Sequence, residues 1–215
     1  MIRVVLFDLD GTLADTAPDL GYALNLQLQR HGRAPLPIAL IRPHASMGAR
    51  GLLKLGFGIE LEDTNFTSMR NEYLELYEQN LCRETALFPG TAELLNTLES
   101  RAILWGIVTN KPERFTLPLV KQLGLFDRAA CVISGDTVAR PKPHPDALFK
   151  ALEETGTTPT QAIYIGDDER DIQAASAAQM KSIIAGYGYL GGDNAPNTWG
   201  AHATVTHPLE ILNFL

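Results

Sequence analysis

Cysteine, long apolar runs and clustered basic residues are all scarce in this sequence of 215 residues. Its two cysteines, Cys82 and Cys131, lie far apart and outside any CxxC or Cys/His spacing, so neither a disulfide framework nor a zinc motif is expected. No apolar run approaches the roughly 20 residues that cross a bilayer. The run at residues 2–7 is too short for a signal peptide and lacks a small-residue cleavage site. We therefore expect a cytoplasmic protein with no membrane partner.

The charge balance argues against a nucleic-acid partner. The formal net charge is -7 at pH 7, and the basic residues are scattered rather than grouped, so the surrounding field does not attract phosphate backbones. A hydrophobic fraction of 45% with 20% charged residues is typical of a globular protein. The length suffices for one large domain or for a core with a small insert.

Short apolar runs of strand length alternate with amphipathic helical patterns along most of the chain. Such alternation predicts a layered α/β fold with a parallel sheet, and runs that are apolar throughout predict strands buried on both faces. The predicted strands are residues 4–7, 103–108, 130–134, 163–165, 182–185 and 203–205. Several of them end in polar or glycine-containing turns, which is where ligands bind in open α/β sheets. The resulting fold class is α/β, a Rossmann-like doubly wound parallel sheet.

The alternation is interrupted early in the chain. Between residue 12 and about residue 84 no strand is predicted, only helical stretches such as residues 20–30 and 66–79, and this gap is too long for a simple connection. We therefore predict a small all-helical cap at residues 15–84, inserted after the first strand. Residues 1–14 and 85–215 then form the core, and a glycine- and proline-rich loop is predicted at residues 186–199.

The first chemical motif is the run Asp8-Leu9-Asp10-Gly11-Thr12, directly after the first predicted strand. Two aspartates two residues apart at a strand end share one pocket, and a divalent cation would relieve their repulsion. Gly11 allows a sharp turn and a close approach of ligand, so Gly11 and Thr12 are candidate substrate-binding residues. A plain Asp-Gly turn is the simpler alternative, but it does not explain further polar motifs at other strand ends.

Two further motifs suit the binding of a phosphoryl group. Thr109 and Asn110 follow a predicted strand, and a hydroxyl with adjacent backbone N–H groups holds phosphoryl oxygens. Lys142 lies between prolines in Arg140-Pro141-Lys142-Pro143-His144-Pro145, and this stiff frame suits charge stabilisation. Taken singly, the first motif is also an ordinary strand end and the second a solvated basic loop.

A fourth motif is acidic and follows the strand predicted at residues 163–165. Asp167 stands at the strand tip, and Asp171 comes four residues later and is expected to fold back toward it. Hard oxygen ligands of this kind select Mg²⁺. Charges that complement a helix dipole would account for Asp168 and Glu169, but not for an apolar strand that leads to Asp167.

Together the four motifs, in this order, resemble the haloacid dehalogenase superfamily of phosphohydrolases over the entire chain. The resemblance implies that Asp8 is the nucleophile, that Asp10 is the general acid and base, and that Thr109 and Lys142 bind and stabilise the phosphoryl group. The second aspartate of the first motif is absent from the superfamily's dehalogenases, so its presence as Asp10 favours phosphate chemistry.

The resemblance also implies a magnesium site. Asp167 resembles the direct metal ligand and Asp171 supports the water shell of the metal, while Asp8 and the Asp10 backbone carbonyl complete the site. The expected reaction is hydrolysis of a small phosphate monoester through an aspartyl-phosphate on Asp8.

The position of the insert resembles the cap of the phosphoglycolate phosphatase-like branch. Its glycine-rich segment at residues 46–51 resembles the substrate-specificity loop, in which Arg50 would pair with a substrate carboxylate; a solvent-facing arginine is the alternative. The tail after residue 186 resembles members named phosphoglycolate phosphatases, and some close relatives instead act on N-acetylmuramic acid 6-phosphate. Both substrates carry a carboxylate, so the choice between them stays open.

Two other functions remain to be compared. A phosphosugar mutase shares the cap and all four motifs, but it would depend on a bisphosphate. A binding protein on an inactive phosphatase fold would lack a catalytic residue, whereas Asp8, Asp10, Thr109, Lys142 and Asp167 are all present. The oligomeric state is left open between a monomer and a homodimer.

Overall fold

The first apolar run of the chain forms a central strand of a six-stranded parallel sheet in the computed structural model, which describes residues 1–191 and 195–215. The strands are, in chain order, β1 Val4–Phe7, β2 Ala14–Asp15, β3 Ala86–Leu87, β4 Leu104–Val108, β5 Val132–Ile133, β6 Ala162–Gly166, β7 Lys181–Ala185 and β8 Ala203–Val205. Residues 192–194, inside the loop predicted at residues 186–199, lie outside the described residues.

Helices connect these strands and fill the insert. The α-helices are α1 Ala17–Arg30, α2 Ile38–Ile41, α3 Gly48–Phe57, α4 Phe66–Gln79, α5 Thr91–Ser100, α6 Glu113–Gln122, α7 Asp146–Thr155 and α8 Glu169–Ala177. Short 3₁₀ segments occur at Arg42–Met47, Pro159–Gln161, Pro196–Thr198 and Pro208–Phe214. In the part of the chain that the structure describes, no helix has both the length and the apolar character to cross a membrane.

Both faces of the sheet are buried, as the uninterrupted apolar runs predict. Along β1, Val5 and Phe7 pack into one apolar cluster with residues of α5 and α6. Their neighbours Val4 and Leu6 pack into a second cluster with residues of α7 and α8. Because successive side chains of a strand point to opposite faces, one four-residue strand serves both layers. The predicted doubly wound α/β class is confirmed.

The sheet order places three polar loops side by side. The strands run in the order β5-β4-β1-β6-β7-β8, so the chain extends outward from β1 in both directions. Phe7, the last residue of β1, is in register with Ile107 of β4 and Ile165 of β6. The loops that follow these strands therefore leave the same edge of the sheet together, at the position where open α/β sheets bind ligands.

The insert packs around a separate apolar cluster, to which Phe115 of the core helix α6 and Tyr189 also contribute. The helical stretches predicted at residues 20–30 and 66–79 are helices α1 and α4, and they pack together with α3 around buried side chains that include Leu24, Leu53 and Tyr73. The expectation that residues 12 to about 84 contain no strand was wrong in one detail. Ala14–Asp15 pairs antiparallel with Ala86–Leu87 where the chain leaves and re-enters the core. Two residues are too few to give a strand periodicity in the sequence.

The strand predictions differ from the structure mainly at β5. Residues 130–134 are predicted as a strand, whereas β5 comprises only Val132–Ile133 at one edge of the sheet, paired with β4. The residues before it still lie along β4, because the Ala130 N–H donates to the Trp105 carbonyl at 2.8 Å and the Cys131 carbonyl accepts from the Ile107 N–H at 2.9 Å. The weakly apolar residues 203–205 do form β8 at the opposite edge.

Candidate active site

Lys142 lies at the centre of the polar edge of the sheet. Its ammonium nitrogen is 3.0 Å from Oδ1 of Asp8 and 2.7 Å from Oδ1 of Asp171, and only 2% of its side chain is exposed. The same nitrogen donates to the hydroxyl of Tyr164 at 2.8 Å and to the backbone carbonyl of Val108 at 3.1 Å. The lysine motif and the two acidic motifs therefore meet, as the sequence predicts.

The backbone around Lys142 is held by the second motif. The side-chain amide of Asn110 accepts from the Lys142 N–H and donates to the Lys142 carbonyl, both at 2.9 Å. Asn110 thus uses its side chain to position Lys142, although it also lines the cavity. Thr109 is buried beside it, lines the same cavity, and accepts a hydrogen bond from the Lys111 N–H at 3.2 Å.

Three carboxylates converge next to Lys142. Ligand oxygens of Asp8, Asp167 and Asp171 all lie within 4.8 Å of one another. Burial raises the pKa of Asp8 to about 7, with repulsion from Asp171 and Asp10 adding to it and attraction from Lys142 opposing it. Burial, together with the charges of Asp8 and Asp171, also raises the pKa of Asp167 well above its ordinary value. An all-oxygen set that resists ionisation on its own fits a hard divalent cation.

Asp167 is oriented from three directions. Its Oδ1 accepts from the Thr12 hydroxyl, and its Oδ2 accepts from the Ser46 hydroxyl and from the Tyr189 N–H, each at 3.0 Å. Gly11 has a φ of +79°, and a Cβ there would lie 2.2 Å from Oδ2 of Asp167. Gly11 and Thr12, predicted as substrate-binding residues, therefore shape the position of Asp167, and neither is among the residues that line the cavity.

Asp171 is engaged through both oxygens. Oδ1 accepts from Lys142 and from the Tyr164 hydroxyl at 3.1 Å, and Oδ2 accepts from the Asp168 N–H at 3.1 Å. Asp168 in turn caps helix α8 and forms a two-point ion pair with Arg170, at 2.7 Å and 2.9 Å. The expected fold-back of Asp171 toward the strand end is thus achieved by the first turn of α8.

The Asp10 side chain is directed away from the carboxylate cluster. Its Oδ1 accepts from the Thr16 hydroxyl at 2.6 Å and from the Lys111 ammonium at 2.9 Å. Asp10 and Asp8 both line the cavity. The two aspartates of the first motif therefore line one cavity but have different partners.

A cavity of about 250 Å³ is lined both by the core and by the residues predicted as the cap. Its apolar lining includes Leu20 of α1 and Leu74 of α4 from the predicted cap, and Phe115 of α6 from the core. Arg50 on α3 and Arg70 on α4 also line the cavity, and neither makes a hydrogen bond or an ion pair with any residue that the structure describes. The cavity therefore has carboxylates of the core, including Asp8 and Asp171, and two arginines of the predicted cap in its lining.

Sequence reasoning missed several residues of the site. Lys111 and Arg70 stand in no recognisable motif, and Ser46 was noted only as part of a glycine-rich segment. Tyr189 reaches Asp167 because Gly188 packs against the first motif, where a Cβ would lie 2.3 Å from the Gly11 carbonyl oxygen. Only the repeated glycine of the 186–189 segment gave any signal of that close approach.

A model of the haloacid dehalogenase-like hydrolase family matches residues 5–185, a span that contains all four motifs. The chain belongs to this family of hydrolases. Like the family's phosphatases, it carries an acidic cluster suited to a metal ion.

Among its relatives, an N-acetylmuramic acid 6-phosphate phosphatase of Pseudomonas putida is 40% identical over 210 residues, which cover 98% of this chain and 94% of the relative. A phosphoglycolate phosphatase of Xanthomonas campestris is 43% identical over 209 residues, which cover 97% of this chain and 94% of the relative. The fold is similar to that of a predicted phosphoglycolate phosphatase from Haemophilus somnus, with a TM-score of 0.84 at 24% identity over 99% of this chain and 97% of the other.

Proposed function

We propose that this chain is a magnesium-dependent phosphomonoesterase that transfers the phosphoryl group of its substrate to Asp8. The main support for the proposal is the way in which Asp8 is held at the carboxyl end of β1. Its Oδ1 is held by the Leu9 N–H at 2.7 Å and by Lys142 at 3.0 Å, so the carboxylate is fixed facing the cavity. A nucleophile held in this way attacks without first having to be oriented.

The reaction proceeds in two balanced steps. In the first, a carboxylate oxygen of Asp8 bonds to phosphorus, the phosphorus–oxygen bond of the ester breaks, and Asp10 donates a proton to the leaving alcohol oxygen. In the second, water attacks phosphorus, Asp10 takes a proton from that water, and the bond to Asp8 breaks. The products are an alcohol and inorganic phosphate, and both aspartates return to their starting state.

Lys142 and Thr109 act on the oxygens of the phosphoryl group. The ammonium of Lys142 is buried against Asp8. In such a buried site, its positive charge strongly stabilises the negative charge that develops on the phosphoryl oxygens. Thr109 lines the cavity on the adjacent loop, with its hydroxyl available to donate. Asn110 serves this arrangement by fixing the backbone of Lys142.

The ion that best suits the acidic cluster is Mg²⁺. Asp8 and Asp167 would hold it with the Asp10 backbone carbonyl, and Asp171 would support its bound waters. When bound, the ion neutralises charge on the phosphoryl oxygens and on the carboxylates. Thr12 and Ser46 orient Asp167 for this role through the hydrogen bonds described above.

Residues 15–84 would act as a cap that reads the leaving group. Arg50 and Arg70 line the cap side of the cavity without partners among the described residues, which favours a substrate with a carboxylate near the phosphate ester. Phosphoglycolate, on which the Xanthomonas relative is named to act, meets that requirement.

N-acetylmuramic acid 6-phosphate is a second candidate, because it also carries a carboxylate that Arg50 or Arg70 could bind. The Pseudomonas relative is named for this substrate. A phosphosugar mutase is disfavoured, because the named relatives are phosphatases.

A substrate panel with excess Mg²⁺ tests these candidates. It contains 2-phosphoglycolate, N-acetylmuramic acid 6-phosphate, glucose 6-phosphate and 4-nitrophenyl phosphate, and it measures kcat/KM for phosphate release. We expect one of the two carboxylate-bearing esters to exceed both others. A preference for glucose 6-phosphate would remove the role given to the arginines, and turnover only with added sugar bisphosphate would identify a mutase. Cytoplasmic location remains part of the proposal, as does a state of monomer or homodimer, which sedimentation would measure.

A further inference from the structure

Lys111 is a buried cation at the seam between core and cap that the four motifs leave without a role. Only 6% of its side chain is exposed, and its ammonium lies 2.9 Å from Oδ1 of Asp10. On its other side the same nitrogen lies 4.6 Å from the ring centroid of Tyr77, on cap helix α4. A buried lysine between a carboxylate and an aromatic face is a specific arrangement, because desolvating an ammonium is expensive unless both neighbours compensate.

The backbone that carries Lys111 is held firmly. Its N–H donates to the Thr109 hydroxyl at 3.2 Å, and its carbonyl accepts from the Thr116 hydroxyl and from the Gly135 N–H, both at 3.1 Å. The backbone of Lys111 is therefore fixed by hydrogen bonds on both sides, and this fixes the position from which its side chain extends to Asp10.

The second partner of Asp10 comes from the base of the cap. Thr16 precedes helix α1, and its hydroxyl donates to Oδ1 of Asp10 at 2.6 Å instead of capping the helix. Oδ1 of Asp10 is thus held by Thr16, at the start of helix α1, and by Lys111, which packs against Tyr77 of helix α4. The orientation of Asp10 depends on where the cap lies.

We propose that Lys111 is a positioning residue for Asp10, and that the ring of Tyr77 makes this positioning depend on the placement of the cap. This inference rests on the proposed role of Asp10 as the group that protonates the leaving alcohol. Lys111 also lines the cavity. The role proposed for it here is to set the orientation from which Asp10 reaches the leaving oxygen.

Two aryl esters of nearly the same shape distinguish a positioning role of Lys111 from a merely structural one. The leaving group of 4-nitrophenyl phosphate departs as nitrophenolate and needs no proton, whereas the leaving group of phenyl phosphate departs much faster when it is protonated. Because kcat/KM reports the steps up to transfer of the phosphoryl group, a misplaced Asp10 lowers it mainly for phenyl phosphate. We expect Lys111→Met to lower kcat/KM for phenyl phosphate by roughly ten- to a hundredfold and for the nitrophenyl ester several-fold at most.

Lys121→Met is the matched control. Lys121 lies 4.9 Å from the ring centroid of Phe126 but has no carboxylate like Asp10 beside it among the described contacts, and it is exposed on α6. This variant is expected to leave the ratio of the kcat/KM values for the two esters unchanged. Tyr77→Phe keeps the ring under the ammonium and removes a buried hydroxyl that has no hydrogen-bond partner among the described residues. It too should preserve the ratio of the two kcat/KM values. Tyr77→Leu removes the ring and should shift the ratio in the same direction as Lys111→Met, by a smaller factor.

The proposal would be overturned if Lys111→Met lowered kcat/KM equally for both esters and Lys111→Arg gave the same loss, because Lys111 would then be a structural ion pair. It would also be overturned if Lys111→Met lowered kcat/KM for neither ester. If Lys111→Met does not fold, Lys111→Arg and the two Tyr77 variants decide the outcome, because an unchanged ratio in Tyr77→Leu contradicts the coupling. Failure of the proposed function would look different: the wild-type chain would hydrolyse neither ester, or Asp8→Asn would remain active.

Discussion

The two sides of the cavity are built in opposite ways. On the core side every charged group has defined partners: Lys142 lies between Asp8 and Asp171, and Asp167 accepts three hydrogen bonds. On the cap side, Arg50 and Arg70 line the same cavity and contact no partner among the described residues. The difference indicates that the chemistry of phosphoryl transfer is organised before the substrate binds. Recognition of the leaving group is left for the substrate to complete.

Removal of the nucleophile is the strongest test of the core side. We expect Asp8→Asn to lower turnover by at least about 10⁴-fold on every ester, because an amide does not replace the carboxylate as the attacking group. The fold should remain, since a neutral group relieves repulsion at this buried position. Phosphate release and thermal unfolding measure the two effects. Comparable turnover in the variant would mean that Asp8 does not react with phosphorus.

Metal removal tests whether the core side is complete without an ion. Excess chelator should reduce turnover by at least about 10³-fold, and Mg²⁺ should restore it. Ca²⁺ should restore it poorly, because its larger and looser coordination fits the cluster less well. Mg²⁺ should also raise the unfolding temperature, since it binds the folded carboxylate cluster and not the unfolded chain. Full turnover in chelator would contradict the site as described.

Loss of an arginine should affect the cap side alone. A charge-assisted pair with a substrate carboxylate contributes roughly 1.5–3 kcal/mol, so Arg50→Ala should lower kcat/KM for the preferred carboxylate-bearing ester about ten- to a hundredfold. The value for 4-nitrophenyl phosphate, which has no carboxylate, should change little. Arg70→Ala should act in the same direction.

Arg30→Ala is the control for these two variants. Arg30 is an exposed arginine of the predicted cap, as Arg50 and Arg70 are, but it pairs with Glu72 at 3.7 Å and is not among the residues that line the cavity. It should leave both substrates unaffected. If Arg50→Ala lowers kcat/KM for both substrates by the same factor, Arg50 stabilises the structure of the cap. If kcat/KM changes for neither substrate, Arg50 faces solvent.

The remaining prediction concerns stability instead of turnover: the stability of the metal-free chain should depend on pH. Burial raises the pKa of Asp8 from 3.8 to about 7 in the folded state. The folded chain then binds more protons than the unfolded chain between about pH 4 and pH 7, so the free energy of unfolding falls as pH rises through that window. The loss is at most about 4 kcal/mol.

Urea unfolding in chelator at pH 5 and pH 7.5 measures this effect. Asp8→Asn removes the titrating carboxylate, so its stability should fall less over the same interval. Added Mg²⁺ should reduce the loss in the wild-type chain, because it favours the ionised carboxylates. An equal slope in Asp8→Asn would show that Asp8 titrates near its ordinary pKa.

The same contrast explains what the sequence could predict. Short motifs at strand ends encode the core side, because Asp8, Lys142 and Asp167 each follow a buried strand or a stiff loop that sets their direction. The sheet class and most strand positions follow from apolar runs. On the cap side, Arg70 stands in an ordinary amphipathic helix, and only the packing of α4 over the core brings it to the cavity. Lys111 likewise gains its neighbour Asp10 through contact between distant segments, which no local pattern reveals.

The most direct measurement of the central claim is a trap of the phosphorylated enzyme. Wild-type chain with Mg²⁺ is mixed with substrate, quenched in acid within one turnover, digested and analysed by mass spectrometry. We expect a phosphoryl group on the peptide that contains Asp8. It should be lost on treatment with hydroxylamine, as an acyl phosphate is, and be absent in Asp8→Asn. Phosphate release at full rate with an unmodified Asp8 peptide at every quench time, under conditions that preserve a synthetic acyl phosphate, would contradict the account.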